Sequence, residues 1–344
     1  MTPPPASTDL PTAGVPSGPA GRIVLLVTSP RLPAGLLTAA AWDAVRAHPV
    51  LAGAESEVCT AVRAAGAKVT VTETPVPDLL ATVAAYGVAV WLAGPAGDEE
   101  LARDLGLRLA REPGLAELEL MYGSWDPPGA RLLDAVAVMD RLASPGGDPW
   151  KRAQTHATLA RYLLEECYEA YDAIVADDLG ALREELGDVL LQVVLHARLA
   201  ENLPEGERWS IDDVAGGLVA KMVRRNPHVF AGTEVGGLDE ITENWERIKR
   251  TEKPLTSVLD GVALSQPALA LAAKVLHRVE RAGLDLPPPS AAGPDETARL
   301  GAGLLETVAR ARAAGLDAEA ALRRATLDYA ASVRAAEPDS LPPS

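Results

Sequence analysis

The sequence predicts a mainly α-helical protein that carries a small α/β domain near its N-terminus. Short apolar runs alternate with helical patterns as far as Trp125, and helical periodicity dominates from there to the end of the chain. An Ala-rich body with a single Phe also favours helix over strand wherever packing leaves a choice. A chain of 344 residues that is 48% hydrophobic has room for two or three domains with a substantial core.

The first part of the chain changes character at Arg22. Residues 1–21 are rich in Pro, Gly, Ser and Thr, so we expect a disordered tail there. The runs RIVLLVTS, KVTVTETP and VAVWLAGPAGD then indicate strands, and LLTAAAWDAVRA indicates a helix, which together predict a small α/β domain over residues 22–127. Its GPAGDEELARDLG turn has the spacing of neither a P-loop nor a dinucleotide fingerprint, so an ordinary strand-to-helix turn is the simpler interpretation.

The charge and the cysteines exclude several classes of protein. A net charge of −16 argues against nonspecific binding to nucleic acid or to anionic membranes, because both need a basic surface. The N-terminus lacks the features of a signal peptide, and no stretch approaches the ~18 apolar residues of a membrane span. Cys59 and Cys167 form no CxxC pair, which fits a reducing compartment. We therefore expect a cytoplasmic protein that meets any phosphate-bearing ligand with local cations or a metal.

Two segments after the SPGGDP turn place carboxylates beside apolar helical stripes. Glu166 and Glu169 lie in LLEECYEAYDAI, and Glu185 and Asp188 lie in REELGDVLLQVV. Buried acids that converge from two helices would repel one another, and a divalent cation such as Mg²⁺ or Mn²⁺ would resolve that conflict. The alternative is a solvated face with incidental acids. The predicted stripes are Leu163, Cys167, Ala170, Tyr171 and Ile174 in the first segment, and Leu182, Leu186, Val189, Leu190 and Val193 in the second.

A basic segment and an amphipathic helix follow the acids. LVAKMVRRNPHVF carries Lys221, Arg224 and Arg225, and ITENWERIKRTEK carries Trp245 and Lys249 at i, i+4. Each segment alone is an ordinary basic helix end or an amphipathic helix with a half-buried Trp. Taken with the acids, they supply what a nucleotide needs: a metal and cations for the phosphates, and a ring on which the base can stack.

Four blocks of the chain resemble the MazG family of nucleoside triphosphate pyrophosphohydrolases in order and in spacing. They are DPWKRAQTHATLARYLLEECYEAYDAI, LREELGDVLLQVVLHARLA, KMVRRNPHVF and ENWERIKRTEK, which together cover roughly residues 147–254. The resemblance implies an all-α MazG-type helical bundle over residues 130–254 and a homodimer. It also implies Mg²⁺-dependent cleavage of a nucleoside triphosphate to a monophosphate and pyrophosphate, with Mn²⁺ as a substitute metal.

Carried over by position, the resemblance implies a role for each matching residue. The metal ligands would be Glu166, Glu169, Glu185 and Asp188. Glu165 and Glu184, the leading acids of the two motifs, become candidates for orienting water or a second metal. The chain departs from the family at Lys151 and Ala153, and His156 fits the motif in a capping, packing or ligand role. Phosphate contacts would come from Lys221, Arg224, Arg225 and Lys249, with Trp245 near the base or ribose.

Residues 255–336 resemble a degenerate second copy of the same module. Arg299 and Ala302 stand where the metal-binding Glu and Asp would be, and Asp328 and Ala331 stand at positions of the basic helix. We expect these helices to pack and to carry no catalysis, with a short tail over residues 337–344.

The sequence predicts a reaction class more sharply than it predicts a substrate. The leading hypothesis is hydrolysis of nucleoside triphosphates, either broad or directed at non-canonical ones. A narrower relative on the same scaffold, a dUTP or dCTP hydrolase or a phosphoribosyl-ATP pyrophosphohydrolase, is an alternative within enzymes. A nucleotide-sensing protein that binds the substrate without hydrolysing it is the alternative from another class.

Overall fold

A computed structural model of the protein describes residues 21–95, 97–112, 114–233, 235–252, 256–288 and 295–337. The chain forms two compact units, of which the first ends at Ala215 and the second begins at Gly216. The predicted fold class is confirmed, because an N-terminal parallel sheet is followed by a long series of helices. The two predicted tails lie almost wholly outside the described residues, and the domain boundaries at 127 and 254 stay predictions.

The first unit begins with a five-stranded parallel sheet of order β3-β2-β4-β1-β5. Parallel neighbours need crossover connections, and a helix follows each of the first four strands. One apolar core lies beneath α1 and α2 around Val24 and Leu92, and the other beneath α3 and α4 around Leu25 and Trp91. The elements are β1 (Arg22–Val27), α1 (Ala39–Ala47), β2 (Val50–Ala52), α2 (Glu57–Ala64), β3 (Val69–Val71), α3 (Pro75–Tyr86), β4 (Val88–Leu92), α4 (Glu99–Arg111) and β5 (Glu117–Tyr122).

The turn after β4 has a structural role in this sheet. The Asp98 carboxylate accepts hydrogen bonds from the indole Nε1 of the buried Trp91 at 2.6 Å and from the backbone N–H of Gly94 at 3.1 Å. The backbone N–H of Gly94 therefore already donates to a side chain of the protein. This geometry agrees with an ordinary strand-to-helix turn at GPAGDEELARDLG.

The helical part of the first unit packs around α5 and α8. Its elements are α5 (Arg131–Ala143), α6 (Pro149–Arg152), α7 (His156–Val175) and α8 (Leu179–Ala200), and α9 (Ile211–Arg225) continues into the second unit. The core consists of Met139 from α5, Leu159 from α7, and Val194 and Leu195 from α8. The α5–α6 turn requires glycine at Gly147, because a Cβ there would lie 2.3 Å from a backbone carbonyl oxygen.

A largely enclosed guanidinium joins the sheet to the helical part. Arg31, in the loop after β1, donates from Nε and Nη2 to the two carboxylate oxygens of Asp134 on α5 at 2.9 and 2.7 Å. It also pairs with Asp126 in the loop after β5, while the Ser29 backbone N–H donates to the Ser124 hydroxyl oxygen at 2.9 Å. The Arg31 side chain is only 11% exposed. A bidentate Arg–carboxylate pair therefore fixes α5 to the carboxyl edge of the sheet.

The regular elements of the described part of the second unit are all helices. Ala302 and the fully buried Val308 of α13 lie in the interior where α12, α13 and α14 pack together. Within the described residues, every helix is too short or too polar to span a lipid bilayer. After the end of α9, the elements are α10 (Pro227–Phe230), α11 (Leu238–Thr251), α12 (Ala268–Arg281), α13 (Glu296–Ala313) and α14 (Ala318–Ala336).

We predict that Arg31→Ala lowers the melting temperature by several degrees, because Asp126 and Asp134 would keep their charges without their shared partner. The control is Arg131→Ala, since Arg131 contacts the same Asp134 at 3.0 Å but is 85% exposed and should matter little. Arg31 is the largest cause of the lowered pKa of Asp134. The stabilisation is thus present above the ordinary aspartate pKa of ~4 and is lost as the pH falls below it. Equal shifts of the melting temperature in the two variants at neutral pH would contradict a stabilising role of the Arg31 ion pairs.

Candidate metal and nucleotide site

The geometry of the acidic helices follows from the turn between them. The chain passes from α7 to α8 through residues 176–178, with Asp177 in the left-handed region at φ +56°. The Asp178 side chain caps α8 by accepting hydrogen bonds from the backbone N–H groups of Gly180 and Ala181. So short a turn makes the two helices antiparallel neighbours, and they pack along each other. Acids at similar distances on either side of the turn therefore face one another.

Three of the four predicted metal ligands come together. Carboxylate oxygens of Glu166, Glu185 and Asp188 lie within 4.8 Å of one another, and all three side chains are half-buried. Glu169 lies outside this three-residue set, but its charge raises the pKa of both Glu166 and Glu185. The hairpin thus gathers acids from both helices in one place.

The cluster is electrostatically costly as it stands. Burial is the largest cause that raises the pKa of Glu166, followed by the charges of Asp188 and Glu169. Burial likewise raises the pKa of Glu185 most, followed by Glu169 and Asp188. A divalent cation would compensate both causes, and a donor set made only of carboxylate oxygens fits a hard ion such as Mg²⁺ or Mn²⁺.

The leading acids Glu165 and Glu184 lie at the margin of this cluster. Both side chains are exposed, and each contributes to the raised pKa of the glutamate that follows it. Their charges therefore act on the cluster, but their carboxylates do not belong to its three-residue set.

The predicted apolar stripes are wrong in part. On α7 only Ala170 of the predicted stripe is fully buried, whereas Cys167, Tyr171 and Ile174 are exposed. On α8 Leu186 is 53% exposed. The buried face of α7 is formed instead by Leu159, Ala170 and Ala173, because α5 and α8 cover that side. An Ala-rich helix offers two apolar faces with the same period, so the sequence alone does not identify the buried one.

His156 has a packing environment at the start of α7. Its Nδ1 lies 2.7 Å from Nδ1 of His196, and its ring stacks against the rings of His196 and Trp209 with centroid distances of 5.0 and 6.1 Å. Lys151, one of the departures from the family pattern, pairs with Asp148 at 3.4 Å.

The predicted phosphate-binding cations lie in the second unit, on α9 and α11. Lys221, Arg225, Trp245 and Lys249 are half-buried, and Arg224 is exposed. Both arginines bind one carboxylate that the sequence reasoning missed, Glu252 at the end of α11, with contacts of 2.7 Å from Arg224 and a shorter one from Arg225. The Arg225 guanidinium carbon also lies 5.3 Å from the Trp245 ring centroid. The available signal was that Glu252 follows Trp245 by seven residues, which puts both on one face of a helix.

Known proteins resemble the part of the chain that contains these residues. Residues 154–230 match the MazG nucleotide pyrophosphohydrolase domain. An uncharacterised 26.1 kDa protein from the blaB 3′ region of Streptomyces cacaoi is 50% identical over 195 residues, which are 56% of this chain and 78% of that protein. A nucleoside triphosphate pyrophosphohydrolase of Mycolicibacterium smegmatis is 54% identical over 160 residues, which are 46% of this chain and 48% of that protein.

A solved structure of a mazG-related protein from Thermotoga maritima matches 35% of this chain and 96% of its own, with 27% identity and a TM-score of 0.29. The chain spans about half the length of the curated pyrophosphohydrolases it matches, 48% and 47% of the two mycobacterial proteins. The matched domain covers α7 and α8 with their acidic cluster, and an identity of 50% extends over most of the Streptomyces protein. The chain therefore belongs to the MazG family of nucleotide pyrophosphohydrolases.

Proposed function

We propose that the protein hydrolyses nucleoside triphosphates to nucleoside monophosphates and pyrophosphate with the help of Mg²⁺. One observation carries the proposal: the half-buried cluster of Glu166, Glu185 and Asp188 lies on the two helices that the family match covers. The raised pKa values of Glu166 and Glu185 support it, because acids that serve only as a solvated surface would not be desolvated together.

Each set of side chains has a distinct task in this proposal. Glu166, Glu169, Glu185 and Asp188 would hold the metal, and Mn²⁺ would substitute for Mg²⁺. A bound divalent ion supplies neutralisation of phosphate charge and activation of water. Glu165 and Glu184, exposed beside the cluster, would orient the attacking water and accept its proton. Phosphate oxygens would be bound by Lys221, Arg224, Arg225 and Lys249, and the base or ribose would lie near Trp245.

The proposed substrate range is broad and includes non-canonical nucleotides. An indole ring such as that of Trp245 stacks on any base, and the predicted phosphate contacts are common to all triphosphates. A screen of pyrophosphate release should cover the eight common ribo- and deoxyribonucleotides together with oxidised, deaminated and uracil-containing ones. Release from dUTP, dCTP or phosphoribosyl-ATP alone would favour a narrower enzyme. Calorimetric binding without any pyrophosphate would favour a nucleotide sensor.

We also propose a homodimer, supported by the apolar side chains that α7 and α8 leave uncovered. Leu164, Ile174 and Leu186 are each more than half exposed, at 57%, 59% and 53%. Sedimentation equilibrium should therefore give twice the chain mass. Ile174→Lys is expected to weaken the association, whereas Leu107→Lys on α4, where Leu107 is 53% exposed, is the matched control and should leave it intact. A wild-type protein that sediments as a monomer at micromolar concentration would contradict the dimer.

We predict that Glu185→Ala and Asp188→Ala each reduce pyrophosphate release by more than ~100-fold, because each removes a proposed metal ligand. The measurement is coupled detection of pyrophosphate and, in parallel, of orthophosphate, with circular dichroism to verify that the variants stay helical. Orthophosphate as the first product of the wild type, or full activity in both variants, would refute the proposed reaction.

We predict that Glu185→Gln raises the melting temperature of the metal-free protein at pH 8, since it removes one of the repelling charges. The raised pKa of Glu185 means that the folded state binds the proton more tightly than the unfolded state. Its contribution is therefore favourable below the ordinary glutamate pKa of ~4.3, and it is lost as the pH rises through the raised value. In the wild type, Mg²⁺ should compensate this loss, so its stabilising effect should grow from pH 5 to pH 8.

The measurement is thermal unfolding in EDTA and in MgCl₂ at both pH values. Saturation at ~100 times Kd would stabilise the folded state by about 2.7 kcal/mol, and Glu185→Gln should lose most of that response. Glu207→Gln removes the same charge from the exposed turn after α8 and is the matched control. A metal-free Glu185→Gln variant that melts below the wild type would contradict the electrostatic account of the cluster.

A further inference from the structure

Both arginines of the predicted phosphate-binding set already bind an anion of the protein itself. Arg224 donates to Glu252 Oε1 from Nε at 2.9 Å and from Nη2 at 2.7 Å. Arg225 donates from Nε to Oε1 at 3.0 Å and from Nη2 to Oε2. One carboxylate at the end of α11 therefore receives the Nε edges of two guanidinium groups from the end of α9.

The two arginines differ in how much of each remains open to solvent. Arg225 is 13% exposed and Glu252 is 15% exposed, whereas Arg224 is 52% exposed. The guanidinium of Arg225 is further enclosed by the Trp245 ring, whose centroid is 5.3 Å from its central carbon. Arg225 is thus committed to a carboxylate and a ring, while about half of the Arg224 side chain remains accessible to a ligand.

The charge balance of this group still favours an anionic ligand. Two guanidinium ions and one carboxylate leave one positive charge. The hydrogen bonds from Arg225 and then from Arg224 lower the pKa of Glu252 to about 2, so the carboxylate is ionised at neutral pH. Protonation of Glu252 therefore does not release the arginines at neutral pH.

We propose that Glu252 is a positioning residue of the phosphate-binding group: it locks Arg225 against Trp245 and orients Arg224, whose exposed part binds a substrate phosphate. This inference rests on the proposed function and divides the predicted set of cations. Arg224 becomes the phosphate ligand, and Arg225 becomes part of its support. Because Arg225 occupies one face of the Trp245 ring, a base would stack on the opposite face.

The test compares Arg224→Ala, Arg225→Ala, Glu252→Gln and the double variant Arg224→Ala/Glu252→Gln. Arg224→Ala should raise KM for the nucleotide by ~10-fold or more and leave kcat and the melting temperature nearly unchanged. Glu252→Gln keeps the shape of the side chain but loses its charge, so it should raise KM by several-fold and lower the melting temperature. Arg225→Ala should lower the melting temperature most, because it leaves Glu252 half-buried beside an exposed partner.

The double variant separates positioning from simple structural support. If Glu252 acts on phosphate binding through Arg224, then Glu252→Gln should raise KM little further once Arg224 has been removed. Glu243→Gln is the control, because it removes the same charge from an exposed position on the same helix. A full additional increase in KM in the double variant would overturn the inference. A lower KM in Glu252→Gln would overturn it too, since Glu252 would then compete with the substrate.

A second readout does not depend on catalysis. Calorimetry with inorganic tripolyphosphate and Mg²⁺ should give weaker binding in Arg224→Ala and in Glu252→Gln. The double variant should bind little more weakly than Arg224→Ala, and Glu243→Gln should bind as the wild type does. Wild-type protein that binds tripolyphosphate in this pattern but releases no pyrophosphate from nucleotides would refute the proposed reaction and leave the positioning role standing. Equal tripolyphosphate affinity in the wild type, Arg224→Ala and Glu252→Gln would refute the positioning role whatever the activity.

Discussion

The main constraint on the helical part of the first unit is that it must hold three carboxylates close together against their mutual repulsion. Glu166, Glu185 and Asp188 approach one another while half-buried, so each loses hydration and faces like charge. The protein opposes this cost with the apolar contact of Leu159 and Leu195 further along the same pair of helices. The Asp178 cap adds hydrogen bonds at the start of α8. A purely structural hairpin would gain stability from neutral residues at these positions, which supports the proposed metal site.

The support for the hairpin extends back to the sheet. Met139 of α5 packs in the same core as Leu195, and Arg198 of α8 donates from Nε to Asp140 of α5 at 2.6 Å. The opposite end of α5 is fixed by Asp134, whose carboxylate oxygens accept hydrogen bonds from Nε and Nη2 of Arg31. Helix α5 is therefore held by charged groups on two sides, with the sheet on one and the acid-bearing helix on the other. The α/β domain is thereby connected through α5 to the helix that carries Glu185 and Asp188.

The sequence predicted features that depend on local spacing and missed those that depend on distant partners. The strands RIVLLV and VAVWL are continuous apolar runs and were recognisable, whereas β2 has three residues and β5 carries exposed Leu120 and Tyr122 at the edge of the sheet. The meeting of acids across α7 and α8 was predictable because a short turn fixes the pairing of two helices. The buried face of α7 was not predictable, because it is determined by the packing of α5 and α8 against that helix.

Glu252 shows the same limit in the proposed phosphate-binding group, and it also suggests why that group is built from arginines. Its partners are 28 and 27 residues away, so the spacing from Trp245 places it on a helix face but does not identify the arginines that it binds. A guanidinium can give its Nε edge to an internal carboxylate and still present further N–H groups elsewhere, which a lysine ammonium does less well because it has no fixed fork. Arginines oriented in advance lose less conformational entropy when a phosphate binds. The acids of the first unit raise one another's pKa values, whereas Arg224 and Arg225 are partly compensated by Glu252. The first arrangement suits the proposed metal ion, which must be bound strongly, and the second suits the proposed substrate phosphate, which must also leave.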